Sequence, residues 1–163
     1  MKILIGLVVF VALAALGGFY FLAQQSKNGA APGLVNGALA PCPASPNCVS
    51  SEPGAPDSHA VASLPLSAWA RLPEIVAAQG GEVTSAEDAY IAAVFRSPLL
   101  GFVDDVEFRR ADDAVHVRSA SRVGHSDLGA NAKRVEALRE ALGGAPATPP
   151  STPPASADNS SAS

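Results

Sequence analysis

From Ile3 to Ala23 the chain is apolar apart from Gly6, Gly17 and Gly18, and this run constrains what the chain can become more than anything after it. Its length matches the roughly 20 residues that an α-helix needs to cross a hydrocarbon core. A helix apolar on every side could also be enclosed in a globular interior, but a chain of 163 residues is too small to enclose it. The rival reading is a cleavable export signal, because Lys2 before an apolar stretch fits a leader, with Ala15-Leu16-Gly17 as a conceivable cleavage point. The stretch nevertheless continues through Phe19, Tyr20, Phe21 and Leu22, and aromatic residues suit the interfacial end of a spanning helix. The expectation is an uncleaved single-pass anchor over residues 1–23, with 3–23 in the cell membrane. Both readings put the remainder on the periplasmic or extracytoplasmic side.

Residues 24–40 are rich in Gly, Ala and Asn and read as a flexible linker, while residues 144–163, with Pro149-Pro150 and Pro153-Pro154 among Ser, Thr and Ala, read as a disordered tail. The folded domain is therefore expected over 41–143. Leu39-Ala40-Pro41-Cys42 looks superficially like a lipid-attachment site, but it lies too far past the apolar run. With 11 basic against 15 acidic side chains the net charge is -4, which gives no basic field for phosphate backbones. Nucleic acid is excluded as an expected partner, and no cofactor is implied.

Cys42 and Cys48 are the only cysteines. In an oxidising compartment so close a pair usually bridges, so a disulfide is the leading expectation. A redox-active pair normally sits two residues apart at a helix N-terminus, and a metal site needs further ligands. His59, His116 and His125 are scattered and make no spaced ligand set, so no metal is expected.

Within the domain, Trp69, Leu72, Ile75 and Val76 recur at helical spacing over Ser67–Gln79, before Gly80-Gly81. Pro73 should either kink this helix or open a shorter one near Leu72. Four extended runs follow, Glu82–Ser85, Ala89–Ser97, Phe102–Arg109 and Ala114–Ser121, the last two joined as a hairpin at Asp112-Asp113. Ser126-Asp127 offers an N-cap to a closing helix striped with Leu128, Val135, Leu138 and Leu142. The expected fold is α+β: a small antiparallel sheet with helices packed on one face, plus the N-terminal transmembrane helix.

Strand alternation puts Asp104 on the face of Phe102, Val106 and Phe108, and Asp105 on the other; Ser119 and Ser121 likewise oppose Arg118 and Arg122. Polar residues thus gather at one end of the sheet, where Asp127, Asn131 and Arg134 begin the last helix. In one reading Arg96, Asp104, Asp105, Arg118, Arg122, Asp127 and Arg134 form a satisfied network pinning hairpin to helix. In the other, Arg96, Asp104, Arg118, Ser119, Ser121, Arg122, Asp127, Asn131 and Arg134 hold a small anionic or lipid-like ligand, since a guanidinium fork suits carboxylate or phosphate. Asp104 near Ser119, Ser121 and His125 also supplies residue types for hydrolysis, but no Gly-x-Ser-x-Gly elbow or His-Glu-x-x-His helix is present, so no catalytic residue is assigned.

The segments Pro43–Ser51, Phe95-Arg96-Ser97, Gly101–Phe108 and Arg118–Gly129, with Asn131, Arg134 and Leu138 in step, resemble domain of unknown function family 1499, a group of bacterial and plastid proteins. The resemblance spans Pro41 to about Leu142. It implies a compact domain often placed behind a membrane segment or export signal, and it brings no assigned activity to this chain. This chain has Ala92-Ala93-Val94 where relatives often carry a His and an acidic residue, and His125 where Tyr is common. The function expected is an envelope protein binding an anionic or lipid-like ligand, the alternatives being an accessory partner of a membrane complex and a hydrolase using Asp104.

Overall fold

The computed structural model describes residues 1–143, so the tail expected over 144–163 lies outside the described residues. The first element, α1 (Lys2–Ser26), is long and apolar enough to cross a membrane, and its most apolar window is wholly exposed on the protein. A five-strand path of β3 (Cys48–Ser50), β8 (Ala114–Ser121), β7 (Val103–Arg110), β6 (Tyr90–Arg96) and β5 (Glu82–Ala86) makes an antiparallel sheet, with β4 (Leu64–Pro65) also pairing to β8. The α+β architecture is the one expected.

One face of this sheet carries the core. Ile91, Ala93, Phe95, Val106, Phe108, Val115 and Val117 meet Leu72, Ile75 and Val76 of α2 (Leu72–Ala78) and Val135 and Leu138 of α3 (Ala130–Ala141). Both helices therefore pack on the same face. Pro73 opens the shorter helix: residues Leu66–Arg71 form a 3-10 turn, and α2 starts at Leu72 with proline in its first turn, where the missing N–H costs no intrahelical bond. Gly81 is fixed by close packing, since a Cβ there would stand 2.6 Å from Phe95 Cζ and 2.7 Å from Val76 Cγ1.

The opposite face is covered by the segment read as a flexible linker. Residues β1 (Leu34–Val35) and β2 (Ala38–Leu39) pair as a hairpin, and Asn36 and Gly37 between them adopt φ of 53° and 81°. Two left-handed residues in a two-residue loop match the twist of the flanking strands. Leu39, with Ala31, packs on Tyr90 and Ala92. The packed unit thus begins before residue 41, and the composition of 24–40 is that of a strap rather than of a free spacer.

Candidate functional site

Successive residues of β7 point to opposite faces, so Asp104 and Asp105 enter separate networks. On the helical face, Arg134 of α3 donates to Asp104 Oδ2 at 2.6 Å, to Asn131 Oδ1 at 2.7 Å and to Ser119 Oγ at 3.0 Å. Its guanidinium lies 4.8 Å from the centre of the Phe95 ring. Asn131 is fully buried, and its Nδ2 lies 2.8 Å from Asp127 Oδ2, 3.0 Å from the Asn47 carbonyl and 3.1 Å from Ser121 Oγ. The Ser119 hydroxyl donates to Asn131 Oδ1 at 2.6 Å.

Asp127 sets the start of α3. It accepts from the backbone N–H of Gly129 at 3.0 Å and of Asn131 at 2.8 Å. The helix begins at Ala130 rather than beside Ser126-Asp127, because Leu128 and Gly129 take left-handed φ of 53° and 80°. Burial pushes the Asp127 carboxyl up, but the N–H donors of Asn131 and Gly129 outweigh it and hold it below the usual carboxylate range.

On the strap face the same end of the sheet is again ionic. Arg122 forks onto Asp105 at 2.7 and 2.8 Å and donates to the Ser26 carbonyl at the end of α1. Arg118 donates to Glu107 Oε2 at 2.9 Å, while Glu107 Oε1 accepts from the Tyr90 hydroxyl and from the Gly33 N–H, both at 2.8 Å. Glu107 is fully buried, and Arg118 Nε is buried with no partner among the described residues. Burial, the hydrogen bond to Glu107 and the surrounding negative charge raise the Tyr90 phenol well above its ordinary value, so it remains a donor. Further along, Glu52 takes a forked pair from Arg109 at 2.7 Å and the Leu39 N–H at 2.9 Å.

The sequence-predicted residues therefore divide. Asp104, Ser119, Ser121, Asp127, Asn131 and Arg134 meet on the helical face. Arg118 and Arg122 lie behind the sheet in ion pairs, so the expected convergence of their guanidiniums with Ser121 and the helix start is corrected by strand alternation. Arg96 stands apart in an exposed pair with Glu82 at 2.7 Å. The side-chain hydrogen bonds of His59 and His116 go to the carbonyls of Cys48 and Ser51, so among the described residues neither meets a serine hydroxyl. The bridge between Cys42 and Cys48 is formed.

A cleft of about 270 Å³ opens where this polar end meets α1. Phe19 and Leu22 of the helix, with Phe102, Val123 and Leu128, make its apolar walls, and Asp104, Ser121 and Asp127 its polar floor. Sequence reasoning missed the walls, because nothing in the local pattern says that the last turns of α1 meet the domain. The helix end is held there by Ser26, whose Oγ accepts from the Val103 N–H and donates to the Ala23 carbonyl.

A family model for proteins of unknown function, DUF1499, matches residues 38–142. The chain belongs to this family. The DUF1499 match runs from β2 through α3 and so includes the ionic side chains of both networks, while Gly33 and α1 precede it. Neither a curated protein nor a solved structure matches the chain.

Proposed function

We propose that this protein is a single-pass, membrane-anchored envelope protein whose domain holds a lipid-like ligand in the cleft between anchor and sheet. The supporting observation is the composition of that cleft, in which an apolar helix of membrane-spanning character supplies one wall and an acceptor-rich polar cluster the floor. An amphipathic molecule fits both halves at once. The headgroup is read from the floor. Asp104, Asp127 and Ser121 line the floor with oxygens, of which Asp104 Oδ1 receives no donor among the described residues, whereas the guanidiniums of Arg118, Arg122 and Arg134 are engaged by Glu107, Asp105 and Asp104. An amine- or hydroxyl-bearing headgroup is therefore favoured over an anionic one. The disulfide supports placing the domain on the extracytoplasmic side, where thiols oxidise.

The test is native mass spectrometry of the full chain released from nanodiscs containing phosphatidylethanolamine and phosphatidylglycerol. Retained phosphatidylethanolamine is expected, with loss of the adduct in Val123→Trp, which fills the cleft. Absence of retained lipid, preference for phosphatidylglycerol, or equal retention in the variant overturns the reading.

A further inference from the structure

Three segments meet at one end of the sheet: the end of α1, the loop 97–102 between β6 and β7, and the loop 122–129 between β8 and α3. Each of the two loops presents a leucine to solvent, Leu99 and Leu128, both 89% exposed. Leu128 also holds a left-handed φ of 53°, uncommon for a side chain of this kind, so the backbone turns an apolar group outward at a local energetic cost. Folding of the domain does not use either side chain.

The level of these leucines along α1 can be read from the cleft. Leu128 shares it with Phe19 and Leu22, whereas the clamp to the domain is at Ser26. At about 1.5 Å rise per residue, Phe19 lies about 10 Å before the clamp. A helix of 25 residues is about 37 Å long, against a hydrocarbon core of about 30 Å, so Phe19 and Leu22 stand near the boundary between acyl chains and headgroups. Leu128 and its loop stand there too. Lys27, one residue past the clamp, reaches the other loop, its Cε 3.8 Å from the Cβ position of Gly101.

Charge is distributed to match. Glu87, Asp88, Asp112 and Asp113 occupy the two turns at the far end of the sheet, where all four are exposed and outnumber the exposed Arg110. The near end exposes Lys27, and its exposed Glu82 is paired with Arg96. The acidic pole is thus aimed away from the anchor, as an anionic membrane surface requires.

We infer that the loops 97–102 and 122–129 rest in the interfacial layer of the bilayer that carries α1, with Leu99 and Leu128 inserted among the lipids. This rests on α1 spanning the membrane and is independent of whether the cleft holds a ligand. The full chain in nanodiscs tests it. In a Trp69→Phe background, Leu99→Trp, Leu128→Trp and, as control, Asp112→Trp report depth through quenching by lipids brominated near the headgroup end of the acyl chain. The first two should be quenched by about twofold or more and the control should not. If Leu99→Trp and Leu128→Trp resist quenching as the control does, the leucines face water or a protein partner and the inference fails. Should the Trp69→Phe background not fold, hydrogen exchange of the otherwise unaltered chain decides. Residues 97–102 and 123–129 should exchange about tenfold more slowly than in a Leu99→Glu, Leu128→Glu chain, and equal rates overturn the proposal. A cleft without lipid in the mass spectrum leaves the quenching pattern unaffected, so the two readings fail separately.

Discussion

The backbone N–H of Val103 donates to Ser26 Oγ across 3.1 Å, which fastens the last turn of the apolar helix to the first residue of a central strand. Ala23 and Ser26 are buried at this contact. Ser26→Ala leaves a buried donor without its acceptor, at a cost of about 1 to 3 kcal/mol. Denaturant unfolding of the full chain in micelles measures it, together with the exchange rate of the Val103 amide. Unchanged exchange at that amide means that the helix end is not fastened here.

Glu107 receives three donors in a site closed to water, from Arg118, Tyr90 and Gly33. Removing the carboxylate strands the Arg118 charge beneath the strap, so Glu107→Ala should destabilise by about 3 to 5 kcal/mol. Tyr90→Phe removes one donor to that carboxylate and should cost about 1 to 3 kcal/mol. Replacing both members of the pair, with Glu107→Leu and Arg118→Leu, should recover most of the loss, because apolar packing then replaces two desolvated charges. Urea midpoints for the three variants check the order. A double variant as unstable as Glu107→Ala refutes the ion-pair account.

Asp127 and Glu52 give the acid limb of stability. Burial raises both carboxyls, but hydrogen bonds, from backbone N–H groups at Asp127 and from Arg109 at Glu52, leave each below its ordinary value of 3.8 or 4.5. The folded state then binds protons less readily than the unfolded chain. Their contribution is fully present above those ordinary values and is lost as pH falls through the lower folded ones. Thermal scans across the acid range should show Tm falling, and Asp127→Asn should flatten the lower part of that fall. An identical acid limb in the variant counts against Asp127 as its source.

The bridge between Cys42 and Cys48 closes only a small loop, since the cysteines are six positions apart. The chain-entropy estimate for so short a loop is about 2 kcal/mol. Cys42→Ala with Cys48→Ala should lower the unfolding free energy by about that amount and leave the sheet folded. Loss of all cooperative unfolding would show that the bridge is required for folding.

Local pattern made most of the fold legible, and least of the site. Alternation along Val103–Arg110 and Ala114–Ser121 places Asp104 and Asp105 on opposite faces from sequence alone, because strand geometry has a period of two. Helical spacing found the faces of α2 and α3 that pack on the core. The pairing of Arg118 and Arg122 with strand neighbours was less visible, since which carboxylate faces which guanidinium depends on register. Asn36-Gly37 between Leu34-Val35 and Ala38-Leu39 was a readable hairpin signal, hidden by the glycine-rich composition around it. The approach of Phe19 and Leu22 to the sheet end depends on a long-range contact through Ser26, which no short window contains.

Asn47 sits inside the disulfide loop and reaches across it. Its carbonyl accepts from the Ser121 N–H and from Asn131, and its side chain donates to the Gly124 carbonyl. A pull on α1 that passes the Ser26 clamp and the strap enters the bridge at Cys42 and leaves it at Cys48. Residues 43 to 47 are bypassed, so the bridge shields the loop's grip on the α3 start from a pull on α1.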